Sequence, residues 1–249
     1  MAHPANQPVL HLQSPDRRRA EGPRVAGFPL RLVSAQGRSE GLFLGIGAAR
    51  LRVGDHAALL YLTPEGRMRG LVAAVIEGLR AGDRIVHVVN DLPVAAWARA
   101  LAAAGVDVAA RAAEGRLVLV SSDDVFFRGG RFEPAAALGQ LHELTASPFA
   151  GRTRLIVDMT YLLADVPGIE RGLELEARVR DALRGLPFVR ICAFDAGGEI
   201  SDRLADVLRD HPTVVSEGGS LWNPYYRPWN ELRTIRKAAH LARPIDEAK

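Results

Sequence analysis

From residue 55 onward the chain alternates short, nearly all-apolar runs with longer segments that carry one apolar face, and no other feature constrains the fold as much. Residues 57–62 (AALLYL), 84–89 (RIVHVV), 116–120 (RLVLV), 153–158 (TRLIVD) and 188–194 (FVRICAF) read as strands, with a last short one at 213–216. Between the first two, Met68, Leu71, Val72, Val75, Ile76 and Leu79 recur at helical spacing and form one continuous face. Further helices are expected at 91–104, with Pro93 near the start and Gly105 past the end, and at 134–146, 168–184 and 201–209. Strands apolar on both faces and separated by amphipathic helices are βαβ units. Right-handed crossovers then predict an α/β fold: a doubly wound, mainly parallel sheet with helices on both faces. In such sheets ligands sit beyond the carboxyl ends of the strands, here the loops after Leu62, Val89, Val120, Asp158 and Phe194.

Domain organisation follows from where this pattern stops. Residues 1–24 are polar and aperiodic and are expected to be a disordered basic tail. Residues 25–229 form one α/β domain, with short candidate strands at 28–33 and 41–46, and residues 230–249 form a basic C-terminal helix or tail. Residues 1–40 carry six arginines against three acids, and residues 227–249 six bases against three acids. The remainder holds twenty arginines against twenty-three acids, so the basic character belongs to the ends. Short mixed-sign clusters of this kind read as solvated tails, and no zinc finger or aromatic-rich sheet motif argues for nucleic acid. Cys192 is the single cysteine, which excludes an intrachain disulfide and a cysteine-rich zinc site. No run of 18 apolar residues and no leader pattern is present, and a cytoplasmic protein without a membrane span is expected.

The first strand–loop–helix is where a phosphate loop would lie. Such a loop needs glycines whose backbone N–H groups surround phosphate, a lysine for the outer phosphates and a Ser or Thr for Mg²⁺. Residues 61–70 (YLTPEGRMRG) keep only Gly66 and Gly70, Glu65 adds a negative charge, and the only lysines of the chain are Lys237 and Lys249. The loop is a degenerate P-loop. The helix N-terminus with Arg67 or Arg69 could still meet an anion, although the plainer reading leaves each arginine in solvent. Nucleotide binding stays open; hydrolysis by the standard route does not. The fourth strand ends in Asp158, the position of an acid that holds Mg²⁺ through water, or of a simple turn cap. His56 and His211 lack any H-x₃-H or C-x₂-C spacing, so no metal is expected, and Cys192 reads as a small core residue. Residues 222–229 gather four of the fifteen aromatics among prolines, a segment suited to capping a pocket or a partner surface.

Gly54-Asp55-His56 leads to Tyr61; Glu77-Gly78-Leu79 leads to Gly82; Gly115 opens the strand through Val120; Gly130-Arg131-Phe132-Glu133-Pro134 makes a turn. Arg154 leads to Asp158-Met159-Thr160-Tyr161, followed by Leu175-Glu176, Ile191-Cys192-Ala193-Phe194-Asp195, His211-Pro212 and Asn223-Pro224-Tyr225-Tyr226. Taken in order, these segments resemble the MEDS (methanogen/methylotroph, DcmR sensory) family, which is RecA/KaiC-like. Asp158 stands for the family's usual Glu, Tyr161 for Trp, and Leu175 and Phe194 for Tyr. The resemblance implies sensing of small, often hydrocarbon-derived or one-carbon compounds. It also implies coupling to a kinase, an anti-sigma factor or a transcription regulator, for which the tails are too short.

The expected function is that of a sensory protein without catalytic residues or a required cofactor, in which a small-molecule signal is read by a regulatory protein partner. The ligand is expected at the carboxyl edge near His56, Tyr61, Arg67, Asp158, Met159, Thr160, Tyr161, Glu176 and Asp195, with Asn223, Tyr225 and Tyr226 closing over it. Two alternatives stay open: an ATPase or phosphotransferase using arginine for lysine, and a ligand-free interaction module. Homo-oligomerisation is left open as well.

Overall fold

The computed structural model describes residues 42–43, 49–146, 149, 151–163, 166–197, 202–216 and 219–227. Seven strands form the main sheet: β1 (His56–Tyr61), β2 (Arg84–Val89), β3 (Leu117–Ser121), β4 (Thr153–Asp158), β5 (Phe188–Asp195), β6 (Thr213–Ser216) and β7 (Gly219–Trp222). Their spatial order is β7-β6-β1-β5-β4-β2-β3. Six strands run parallel, and β7 pairs antiparallel with β6 at one edge. The doubly wound α/β fold expected from the alternation is present.

The helices are α1 (Pro64–Arg80), α2 (Val94–Ala103), α3 (Val108–Ala113), α4 (Ser122–Phe126), α5 (Pro134–Thr145), α6 (Gly172–Ala182) and α7 (Asp202–Asp210). Leu71 and Val75 of α1 and Trp97 and Leu101 of α2 pack on Ala57, Leu59, Ile85, Ile156 and Ile191. Phe126, Leu141, Leu175 and Val207, from α4 to α7, pack on the opposite face with Ala58, Val86, Val88, Leu155 and Cys192. Alternate strand residues point to alternate faces, so a strand covered on both sides is apolar throughout. β2 has all six residues buried, with Arg84 and His87 as the polar exceptions in an otherwise apolar run.

The structure departs from the sequence reading where elements are short. Neither α3, whose first turn is capped by Asp107 accepting from the Ala110 N–H, nor α4 was expected, because five or six residues do not establish a period. Leu42–Phe43, within the 41–46 candidate, pairs antiparallel with Arg50–Leu51. The 28–33 candidate and both expected tails lie outside the described residues. A tight hairpin joins Phe127–Arg128 to Arg131–Phe132. The helix expected from residue 168 begins instead as a 3₁₀ turn at Ile169–Arg171. Gly168 has φ of 88°, and a Cβ there would lie 2.5 Å from the Phe132 carbonyl oxygen. The Phe132 N–H donates to Pro167 O at 2.9 Å, so this glycine lets the hairpin dock against the start of α6.

A buried ion pair fastens α1 to the sheet. Arg154 of β4 donates to Asp83 Oδ2 at 2.9 and 3.2 Å and to the Ala74 carbonyl at 3.0 Å. Arg152 pairs with the other Asp83 oxygen. A Cβ at Gly78 would collide with Ile85 Cδ1 and lie 2.9 Å from Arg154 Nε, so glycine permits this close approach. Asp83→Ala leaves a guanidinium buried without its carboxylate and is expected to cost about 3–5 kcal/mol. Urea unfolding measures it; a loss of about 1 kcal/mol or less would remove this pair from the account of the fold.

Candidate functional site

β1 ends at Tyr61 and α1 begins at Pro64, so only Leu62 and Thr63 connect them. The Thr63 hydroxyl accepts from the Gly66 N–H at 3.0 Å as the N-cap. Two residues cannot build the ring of backbone donors that cradles a phosphate. The connection is too short for a phosphate cradle and carries no lysine.

Arg67 corrects the expectation that it stands in solvent: it is buried, 7% exposed. Its Nη1 donates to Asp91 Oδ2 at 3.0 Å and to Asp158 Oδ2 at 3.1 Å. Its guanidinium carbon lies 5.8 Å from the centre of the Tyr61 ring. Asp158 Oδ1 accepts from the Thr160 hydroxyl at 2.9 Å, and that hydroxyl also bonds Tyr61. Burial pushes the Asp158 carboxyl up to about 6, with Arg67 and Thr160 pulling it the other way. The Arg67 guanidinium sits against Asp158 Oδ2, and its positive charge opposes Mg²⁺ at this acid.

A cleft of about 650 Å³ opens beside this cluster. Asn90 and Asp91 after β2, Asp123 in α4, and Thr160 after β4 supply its polar wall. Phe127, Tyr161 and Val166 supply its apolar wall, with Gly129 and Gly130 at the hairpin tip. The Phe127 and Tyr161 rings meet edge to face at 5.3 Å, and Phe126 packs behind Tyr161 at 5.1 Å. The Tyr161 hydroxyl donates to the Met159 sulfur at 3.4 Å. Asp91 and Asp123 contribute negative charge, and no basic side chain lines the cleft among the described residues.

The expected site residues divide between two places. Tyr61, Arg67, Asp158, Met159, Thr160 and Tyr161 gather at the carboxyl edge. Asp195 ends β5, and its carboxylate accepts from the Gly197 N–H at 2.8 Å. His56, however, is the first residue of β1, about 16 Å along the strand from Tyr61. It lies with Glu176, Cys192 and His211 in a buried cluster whose donor atoms all fall within 4.8 Å of one another. His56 Nε2 is 3.2 Å from Glu176 Oε2 and 3.4 Å from Cys192 Sγ, and Arg190 Nη2 is 2.5 Å from Glu176 Oε2. His211 Nδ1 bonds the Val207 carbonyl at 2.7 Å. Burial holds both imidazoles well below the usual histidine range and pushes the Cys192 thiol up.

The aromatic segment also belongs to this second place. Trp222 pairs with Thr213 at the amino end of β6, and Asn223 Nδ2 donates to the His211 carbonyl at 2.8 Å. Tyr225 and Tyr226 are half-buried in the turn after Asn223, with the Tyr225 N–H donating to Asn223 Oδ1. Sequence reasoning selected the loops after Val89 and Val120 but named no residue there, and so passed over Asn90, Asp91, Asp123 and Phe127. The sequence signal for Asp91 was the D-L-P triplet, where the structure shows a positive φ of 62°.

Residues 55–212 match the family model described as the MEthanogen/methylotroph, DcmR Sensory domain, MEDS. Among solved structures, a KaiC-like protein from the hyperthermophilic archaeon Pyrococcus horikoshii OT3 shares the fold, with a TM-score of 0.56 at 18% identity over 71% of this chain and 80% of that one. No curated protein matches the chain in sequence.

The raised Asp158 carboxyl makes stability depend on pH in a definite direction. The folded protein keeps a proton that the unfolded chain releases from about pH 4, so stability falls as pH rises from about 4 to about 6. Asp158→Asn removes this contribution. Relative to the variant, the wild type is expected to lose about 2–3 kcal/mol across that window. Asp210, raised to about 6 chiefly by burial, titrates in both proteins and cancels in the difference. Unfolding curves at a series of pH values check this, and parallel pH dependences would contradict it.

Proposed function

Because this chain belongs to the MEDS family of sensory domains, we propose that the carboxyl-edge cleft receives a small uncharged or cationic organic signal and that a protein partner reads the bound state. The observation that carries the proposal is the fate of Arg67. The cation that a phosphate would need is held by Asp91 and Asp158, and the cleft beside it presents carboxylates. An anion entering there meets like charge and a shortened loop. An apolar wall of Phe127, Tyr161 and Val166 facing Asn90 and Thr160 suits a compact molecule with an apolar body and one or two polar atoms.

The same geometry weighs against turnover. Phosphoryl transfer needs Mg²⁺ and a charge clamp on the phosphates. Here Asp158 serves as the counter-ion of Arg67. Transmission runs through the segments that form the cleft, the hairpin at 127–132 and the Thr160–Leu163 turn, which a ligand could bias between arrangements.

Titration calorimetry with short alcohols and amines, and separately with ATP and Mg²⁺, tests this reading. Saturable binding of an uncharged or cationic organic is expected, weakened ~10-fold by Thr160→Val or Asp123→Asn through loss of one polar contact. Tight binding and hydrolysis of ATP, abolished by Arg67→Ala, would replace it with the arginine-dependent ATPase.

A further inference from the structure

We propose that His56, Glu176, Cys192 and His211 form a buried tetrahedral site for a thiophilic divalent cation of the zinc class, separate from the carboxyl-edge cleft. The four residues come from four separate elements of the chain. His56 opens β1, Cys192 lies within β5, Glu176 projects from α6, and His211 follows α7. Two imidazoles, a thiol and a carboxylate are the donor set that zinc takes in four-coordinate sites.

The spacing supports this reading. Zinc bonds of about 2.0–2.3 Å place the ligand atoms of a tetrahedron roughly 3.3–3.7 Å apart. His56 Nε2 and Cys192 Sγ lie 3.4 Å apart, the length of one edge of such a tetrahedron. The donor atoms of all four residues fall within 4.8 Å of one another, so a short inward movement of the side chains completes the shell.

The hydrogen bonding points the same way. His211 is 0% exposed; its Nδ1 is committed to the Val207 carbonyl, and its Nε2 is buried with no hydrogen-bond partner. An N–H bonded to a backbone carbonyl fixes the tautomer and leaves the other nitrogen as a lone-pair donor, the arrangement of metal-bound histidine. Glu176 Oε1 is also buried without a partner, while Oε2 holds Arg190. The carboxylate can therefore keep its guanidinium and still offer an oxygen. A self-sufficient polar network would satisfy these atoms.

Binding releases the Cys192 proton, giving a thiolate, and links β1, β5 and α6 to the segment after α7. Four protein ligands leave no open position, so the cation orders this half of the domain and supplies no activated water.

Chelator-treated full-length protein, confirmed folded by circular dichroism, is titrated with Co²⁺ and then with Zn²⁺. Uptake of about one Co²⁺ per chain is expected, with tetrahedral d–d absorption and a thiolate-to-cobalt charge-transfer band that Zn²⁺ removes. Because Cys192 is the only cysteine, that band reports this site alone. Cys192→Ser is expected to lose the band, and His211→Gln to weaken Zn²⁺ binding at least ~10-fold. A folded wild type that takes up no Co²⁺, or that takes it up without the charge-transfer band, overturns the proposal. Organic-ligand binding at the cleft, measured on the same metal-free sample, stands or falls independently.

Discussion

The charge of Arg67 organises the carboxyl edge of this domain. It enters from the first turn of α1, ion-pairs with Asp158 at the end of β4, and reaches Asp91 after β2. One guanidinium thereby ties together the start of α1, the end of β4 and the segment after β2. A cation inside the protein, satisfied by two carboxylates, does not need an external anion. The Tyr61 ring beneath it and the Thr160 hydroxyl on the far side of Asp158 complete a closed network.

The opposite end of the sheet carries a different polar centre. There the groups are buried and include atoms with no partner, in contrast to Asp158, both of whose oxygens are hydrogen-bonded. His56 and Cys192 point from the sheet toward α6 and α7, where Glu176 and His211 meet them. Tyr161 stands between the two regions: it lines the cleft, and Glu176 and Cys192 act on its hydroxyl, whose proton burial already holds tightly.

How much was legible depended on the length of each signal. The short, mostly apolar segments of β2 and β4 announced buried central strands, and the long face from Met68 to Leu79 announced α1. β7 went unseen because Gly219 and Ser220 dilute its pattern, and α3 and α4 because each is too short for a period. Among the site residues, Asp158, Thr160 and Tyr161 could be grouped because they are consecutive. His56 could not be separated from Tyr61 by inspection, because five residues of strand look close in sequence and span most of the sheet in space. Arg67 reads as a surface residue on its helix; only the convergence of two carboxylates from other loops explains its burial.

The sequence by itself determined the layering: period-two and helical apolar patterns are local, each recorded within a dozen residues, and they dictate which elements form and that both sheet faces are covered. The absence of a lysine before position 237 was equally plain. Only the tertiary structure decided partners. Strand order places β4 beside β2, which sets Asp158 near Asp91 and Arg67, and places β5 beside β1, which sets Cys192 near His56. Asp158 and Arg67 are separated by 91 positions in the chain and Cys192 and His56 by 136, and contact across such distances depends on register and crossover rather than on any local pattern.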